Sequence, residues 1–124
     1  MSATETATQW DKDKDAVAAA PNSHIVLYED ENRRELAVIL KPGVREPWHH
    51  HAWPSEIRVM RSADLRFYKE GDKVLDIPKK DVTPDKPFVE QLDPEPLHSV
   101  ENLSDTDTYF AIRVEFKSRE VWPS

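Results

Sequence analysis

Apolar and polar residues alternate with a period of two through most of this chain, in short runs set off by proline and acidic turns. That is the pattern of half-buried β-strands. His24–Tyr28 and Glu35–Leu40 read as the first two strands, the second stopped by Lys41-Pro42-Gly43. Val44–His51 reads as extended and is broken at Trp53-Pro54. Glu56–Met60 and Asp64–Tyr68 follow, then a turn at Lys69–Asp72 and a strand at Lys73–Ile77. Pro78–Pro87 is a polar loop, Phe88–Leu92 a further strand and His98–Val100 a short one. Thr108–Phe116 alternates most cleanly: Phe110, Ile112, Val114 and Phe116 share one face, Arg113 and Glu115 the other. About eight to ten short strands with almost no helical period predict an all-β fold, a closed or nearly closed sandwich or barrel.

Residues 1–22 break this pattern. They are polar, rich in alanine and threonine and charge-alternating, which predicts a flexible N-terminal segment ahead of one domain over residues 23–124. Asp11–Ala20 has the makings of a short helix stopped before Pro21. Trp10 is the one residue there suited to docking.

Composition narrows the chemistry. The 124 residues suffice for a single core, with 38% apolar and 33% charged residues. A net charge of −7 without any basic block argues against nucleic acid as a partner. Cysteine is absent, which excludes disulfides, thiolate catalysis and sulfur-ligated metals. The only glycines are Gly43 and Gly71, too few for a phosphate-cradling loop. No basic start leads into an apolar stretch, and no run has membrane-spanning length, so the expectation is a cytoplasmic protein without a membrane partner.

The five histidines remain, three of them consecutive. In an extended chain His49 and His51 point to one side with Cα atoms about 6.5–7 Å apart, and His50 to the other. Glu56 follows five residues after His51, and His98 lies far downstream with Asn102 beyond it. In order and spacing, Gly43, His49, His51 and Glu56 resemble the first cupin motif, and His98 with Asn102 the tail of the second. The resemblance runs from about His24 to Lys117. It implies a double-stranded β-helix (cupin jelly-roll) barrel with a divalent metal held by His49, His51, Glu56 and His98. Among small single-domain cupins the likeness is to β-diketone-cleaving dioxygenases. It also implies a homodimer, to which Ile25, Leu27 and Tyr28 on the first strand are plausible contributors. The chain departs from the motifs at Ala63, where the family has glycine, and over Asp93–Leu97, where Glu95 stands in place of a turn residue.

Glu56 is open to two readings. If it faces inward, alternation also brings Arg58 and Met60 inward and leaves Ile57 and Val59 outside; a hydrophobic interior prefers the reverse, with three histidine ligands and Glu56 outside. Such nitrogen and oxygen ligands suit Fe(II), Zn, Mn, Ni or Cu alike, and the resemblance to dioxygenases puts Fe(II) first. Open positions on iron would let a chelating dicarbonyl or enolisable compound and O₂ bind side by side, giving a metal-dependent dioxygenase with Glu56 and Arg58 as its catalytic groups. The alternatives are a non-redox isomerase or lyase, or a small-molecule-binding cupin without catalysis. Trp48, Trp53 and Met60 are candidates for the substrate pocket. Arg58 is either a carboxylate clamp or an exposed strand charge. Asn102 is expected to cap the turn after its strand, and His24 to be an ordinary surface residue.

Overall fold

The computed structural model describes residues 10–117 and Trp122. Nine strands follow one another: β1 (His24–Glu29), β2 (Arg33–Leu40), β3 (His49–His51), β4 (Ser55–Arg61), β5 (Leu65–Lys69), β6 (Lys73–Ile77), β7 (Phe88–Leu92), β8 (Glu95–Asn102) and β9 (Tyr109–Phe116). They form a five-stranded sheet in the order β1-β2-β9-β4-β7 and a four-stranded sheet in the order β3-β8-β5-β6. Every pairing between named strands is antiparallel. Two such sheets bury their inner faces against each other, so alternation along each strand decides which side chains reach the interior.

The strands fall close to where the alternation predicts them. Two differ. Only His49–His51 of the extended Val44–His51 run pairs as a strand, and β8 is longer than expected because the chain is already paired at Glu95, opposite His51. The β5–β6 hairpin turns through Gly71 and Asp72, both with positive φ (79° and 60°). Glycine and aspartate tolerate that region best. Ala63 needs no such freedom: it keeps a negative φ and is buried against Leu40, Leu65 and Val100.

The core has two main apolar clusters. Leu36, Val38, Ile57, Val59 and Ala111 form one, and Leu40, Ala63, Leu65 and Val100 the other. On β9 the polar face is the inner one: Arg113 and Glu115 are buried, whereas Phe116 is 41% exposed. The alternation was legible, but its sidedness is set by what the interior holds.

The expectation of a flexible segment over 1–22 does not hold for residues 10–22; residues 1–9 lie outside the described residues. A turn of 3₁₀ helix at Lys12–Lys14 and one α-helical turn, α1 (Ala16–Ala19), lie against the barrel. Asp11 and Asp15 start them by accepting hydrogen bonds from Asp13 and Val17 N–H. Trp10 is 6% exposed and packs with Ala52, Trp53 and Trp122, and its ring meets His50 edge-on at 5.0 Å. Asp15 forms a two-pronged ion pair with the buried Arg34 at 2.8 and 2.9 Å. A segment held by one indole and one buried ion pair is part of the fold. Trp10→Ala should therefore cost about 3 kcal/mol or more in chemical denaturation; a loss below about 0.5 kcal/mol, the size of a surface change, would contradict this docking.

Candidate metal centre

Four histidines converge between the two sheets. His49 and His51 come from β3, His98 lies opposite His49 on β8, and His24 opens β1. Their ring centroids lie 4.7 Å apart for His24 and His49, 5.1 Å for His49 and His51, and 4.5 Å for His49 and His98. All four are buried, with exposures of 6% or less. His50 points the opposite way, against Trp10, and its Nε2 accepts the Asp11 backbone N–H at 3.0 Å.

The hydrogen bonds at Nδ1 decide what these rings can do. His49 Nδ1 lies 2.9 Å from the Pro47 carbonyl, and His98 Nδ1 lies 2.7 Å from the Pro96 carbonyl. His24 Nδ1 lies 3.2 Å from the Ala20 carbonyl and 3.1 Å from Ser23 Oγ. His51 Nδ1 lies 2.8 Å from Glu115 Oε2. A carbonyl or carboxylate oxygen can only accept, so each Nδ1 must carry the proton and donate. Each neutral ring then keeps a bare Nε2 lone pair. A metal-binding imidazole is fixed in this way, with one nitrogen held by an acceptor and the other free.

Burial keeps the rings neutral. Loss of solvation lowers the pKa of His24 to about 4 and of His49 to about 2, and lowers those of His51 and His98 as well. Neutral imidazole is the form that binds a metal. His49 Nε2 is buried and has no hydrogen-bond partner among the described residues, an orphan that a metal ion would satisfy.

Carboxylates complete the cluster. Glu46 is 6% exposed and accepts a hydrogen bond from Ser23 Oγ at 2.9 Å. Its Oε2 lies 3.4 Å from His49 Nε2. Burial pushes Glu46 up to about 7, and a cation beside it would draw it back into the ionised range. One donor atom from each member lies within 4.8 Å of the others in three overlapping sets: His24 with His49 and His51; Glu46 with His49 and His98; His51 with Glu95 and His98. Behind them Glu115 also accepts a hydrogen bond from Arg34 Nε at 2.6 Å. Arg34 joins it to Asp15, so the chain Asp15–Arg34–Glu115–His51 runs from the N-terminal segment to a candidate ligand. The buried Asp15, Glu46 and Glu115 and the half-buried Glu95 face two buried guanidinium groups, Arg34 and Arg113. With all of them ionised, two negative charges are in excess, which a divalent cation offsets. The donor set therefore fits a divalent transition metal held mainly by nitrogen.

Several expected site residues lie elsewhere. Glu56 sits on the outer face of β4, half-buried, where its Oε2 accepts from Gln91 Nε2 at 2.8 Å. Ser55, Ile57 and Val59 take the inner face instead, as a hydrophobic interior prefers. By the same alternation Arg58 is exposed, and Met60 is half-buried away from the cavity. Trp48 is 39% exposed, with the Arg45 guanidinium 5.8 Å from its ring centre. Trp53 is buried on the far side, beside Trp10 and the Arg34 guanidinium. None of these five lines the cavity at the histidines. Asn102 caps the turn after β8, with its side chain bonding the Leu40 and Asp107 carbonyls and the Ser104 N–H.

His24, Glu46 and Arg113 were missed as site residues. His24 reads as a surface residue because Ile25, Val26, Leu27 and Tyr28 after it are all exposed; only β1's first residue turns inward. Glu46 lies three residues before His49, and a second acid inside the motif was the one available signal.

The cavity at this centre has a volume of about 280 Å³. The histidines and Glu46 occupy its polar side, and Val38, Leu40, Ile57, Val59, Leu65 and Phe67 wall it with apolar surface.

No family model matches the sequence, and no curated protein matches it. Solved structures do resemble it. A cupin domain from Bordetella pertussis Tohama I aligns with a TM-score of 0.65 at 18% identity, covering 77% of this chain and 92% of that one. An RmlC-like cupin from Methanocaldococcus jannaschii aligns at 0.53 with 13% identity, covering 75% of this chain and 79% of that one. A conserved protein with a double-stranded β-helix domain from Klebsiella pneumoniae also aligns at 0.53, with 14% identity, covering 78% and 74%. Such identities speak to fold alone. Together with the antiparallel sheets, they show that this chain folds as a cupin double-stranded β-helix.

Proposed function

We propose that this chain is a metal-dependent enzyme, a mononuclear non-haem Fe(II) dioxygenase acting on a small chelating dicarbonyl or enolisable compound. The observation that carries the reading is the convergence of four buried imidazoles whose Nδ1 atoms are all engaged by acceptors. The metal would be held by three donors at a time from overlapping sets, His24 with His49 and His51 or His51 with Glu95 and His98, which leaves three positions of a six-coordinate ion for a chelate and O₂, with Glu46 beside them. Fe(II) is the preferred metal, and Zn, Mn, Ni or Cu remain alternatives for the same donors. Bound Fe(II) would polarise the chelating oxygens and offer a place for O₂.

The chain's own groups do the rest. The apolar walls exclude water from a cavity sized for a small molecule. Glu46 stands beside the place where such a molecule would sit, and it would take the proton lost from carbon as the substrate enolises. Ser23 Oγ–H, bonded to Glu46 Oε1 at 2.9 Å, supports the carboxylate beforehand. The same Glu46 favours a second reading, a non-redox isomerase or lyase in which this proton is returned at another atom and O₂ has no part. A binding cupin without catalysis would need no such base. Neither Glu56 nor Arg58 has a part in this scheme, since both face outward.

No helix among the described residues is long and apolar enough to cross a membrane. The cytoplasm, where Fe(II) is kept reduced, suits the iron reading. Ile25, Val26, Leu27 and Tyr28 are 40–55% exposed on β1, an edge strand of its sheet. An apolar edge of this kind supports a homodimer, which sedimentation at micromolar concentration would detect; a monomer there removes this part of the reading.

Protein purified without a nickel column should retain about one divalent ion per chain. His24→Ala and His98→Ala should each weaken the metal at least about tenfold, and Glu56→Gln should leave it unchanged. The Fe(II)-loaded protein should consume O₂ with a β-dicarbonyl, and the zinc-loaded protein should not. Carbon-bound hydrogen exchange in zinc-loaded protein without O₂ uptake by the iron form would support the second reading instead. Metal retained equally by all variants would overturn the site.

A further inference from the structure

The same cavity holds a cation that neither ligates the metal nor takes part in the proton transfer. Arg113 projects inward from β9 and lines the cavity with the four histidines. It is 4% exposed. Its Nη2 donates to Glu95 Oε1 at 2.6 Å, a one-atom contact at the cavity's rim. Its Nε is buried and has no hydrogen-bond partner among the described residues. A guanidinium presents Nε–H and an Nη–H side by side as a fork that matches a carboxylate. Here one tine is engaged and the other is open.

An unpaired donor on a buried charge is costly, and binding sites are where such costs are met by a ligand. A neutral carbonyl would satisfy the hydrogen bond, but a carboxylate does so with a charge-assisted bond about twice as strong and matches the fork's geometry. Two lysines, Lys69 and Lys80, also line the cavity, against Glu46, Glu90 and Glu95 of opposite sign, so the lining charges other than a bound metal balance and the open Nε is what selects an acid. The rest of the wall is apolar, and the volume of about 280 Å³ limits the ligand to a small molecule.

We infer that Arg113 is the specificity-determining residue of this site and that its substrate is a small oxo acid: a chelating dicarbonyl carrying a carboxylate that Arg113 Nε grips while the carbonyl oxygens face the histidines. This rests on the metal-centre reading for the chelating end, and on the open Nε for the acidic end. A neutral diketone would lack the group that distinguishes the pocket. Arg58, expected as the carboxylate clamp, is exposed on the other face of its sheet. Arg113 has the burial and position that role requires.

The test compares two ligands that differ by one carboxylate, 2,4-dioxopentanoate and acetylacetone, by calorimetric titration into the full-length protein. Each is titrated with the protein zinc-loaded and metal-free, and zinc content is measured in every sample. The wild type should bind the acid at least about tenfold more tightly than the diketone, and Arg113→Met should abolish that preference by weakening the acid alone. Arg113→Lys, which keeps the charge without the fork, should fall between them. Glu95→Gln, at the partly exposed rim, should tighten the acid in the metal-free titration, where its place among the candidate ligands has no bearing, by releasing the competing tine; it keeps the idea testable if Arg113→Met does not fold. Equal weakening of both ligands in the Arg113 variants, or no preference for the acid in the wild type, would overturn the assignment. Wild-type protein that holds no zinc yet shows the Arg113-dependent preference would sink the metal reading and leave Arg113 standing.

Discussion

The site depends on how a buried imidazole meets its own hydrogen-bonding needs. A neutral ring has one donor and one acceptor nitrogen, and inside a barrel neither can turn to water. Here each inward histidine gives its Nδ1–H to an acceptor: the Ala20, Pro47 and Pro96 carbonyls and the Glu115 carboxylate. Two of these acceptors follow from strand geometry. The carbonyl two residues before His49, and the one two residues before His98, both belong to proline. Proline has no N–H to offer the ladder, but its carbonyl is free to accept. With Nδ1 spent in this way, the second nitrogen of each ring is left bare, and the four rings offer donors in overlapping sets of three with Glu46 and Glu95.

The surrounding fold serves that arrangement. Residues 10–23 supply the Ala20 carbonyl to His24, the Ser23 hydroxyl to Glu46 and the Asp15 carboxylate to Arg34. Arg34 in turn holds Glu115, which holds His51. A segment that looks detachable by composition therefore reaches the centre along three separate lines. The inward polar face of β9 serves the same cavity: Glu115 holds His51, Arg113 pairs with Glu95, and Val114 between them is turned to the outside.

Much of this was legible in the sequence, and the failures have physical causes. Alternation placed nearly every strand, and the spacing of Gly43, His49, His51, Glu56, His98 and Asn102 pointed to the fold and to three of the four histidines at the centre. The same alternation left Glu56 undecided, because both faces of β4 carry plausible residues. Burial of Ile57 and Val59 resolved it against Glu56, and Arg58 and Met60 went outward with it. His24 was illegible because it turns inward at the first residue of a strand whose remaining residues face solvent. Composition misjudged residues 10–22 because their anchors, Trp10 and Asp15, find partners only in the folded chain. Trp48 and Trp53 stand next to the histidines in sequence, but pairing at β3 carries one to the surface and the other to the far side of the sheet.

Nitrogen-15 NMR of the histidine side chains reads their tautomers directly. In metal-free protein at neutral pH, His24, His49, His51 and His98 should all be neutral with the proton on Nδ1. His50, whose Nε2 accepts the Asp11 N–H, should share that tautomer. Stoichiometric zinc should then move the Nε2 resonances of the four inward histidines and leave that of His50 in place. A proton on Nε2 of any of the four, or a zinc response at His50 in place of His24, would contradict the account.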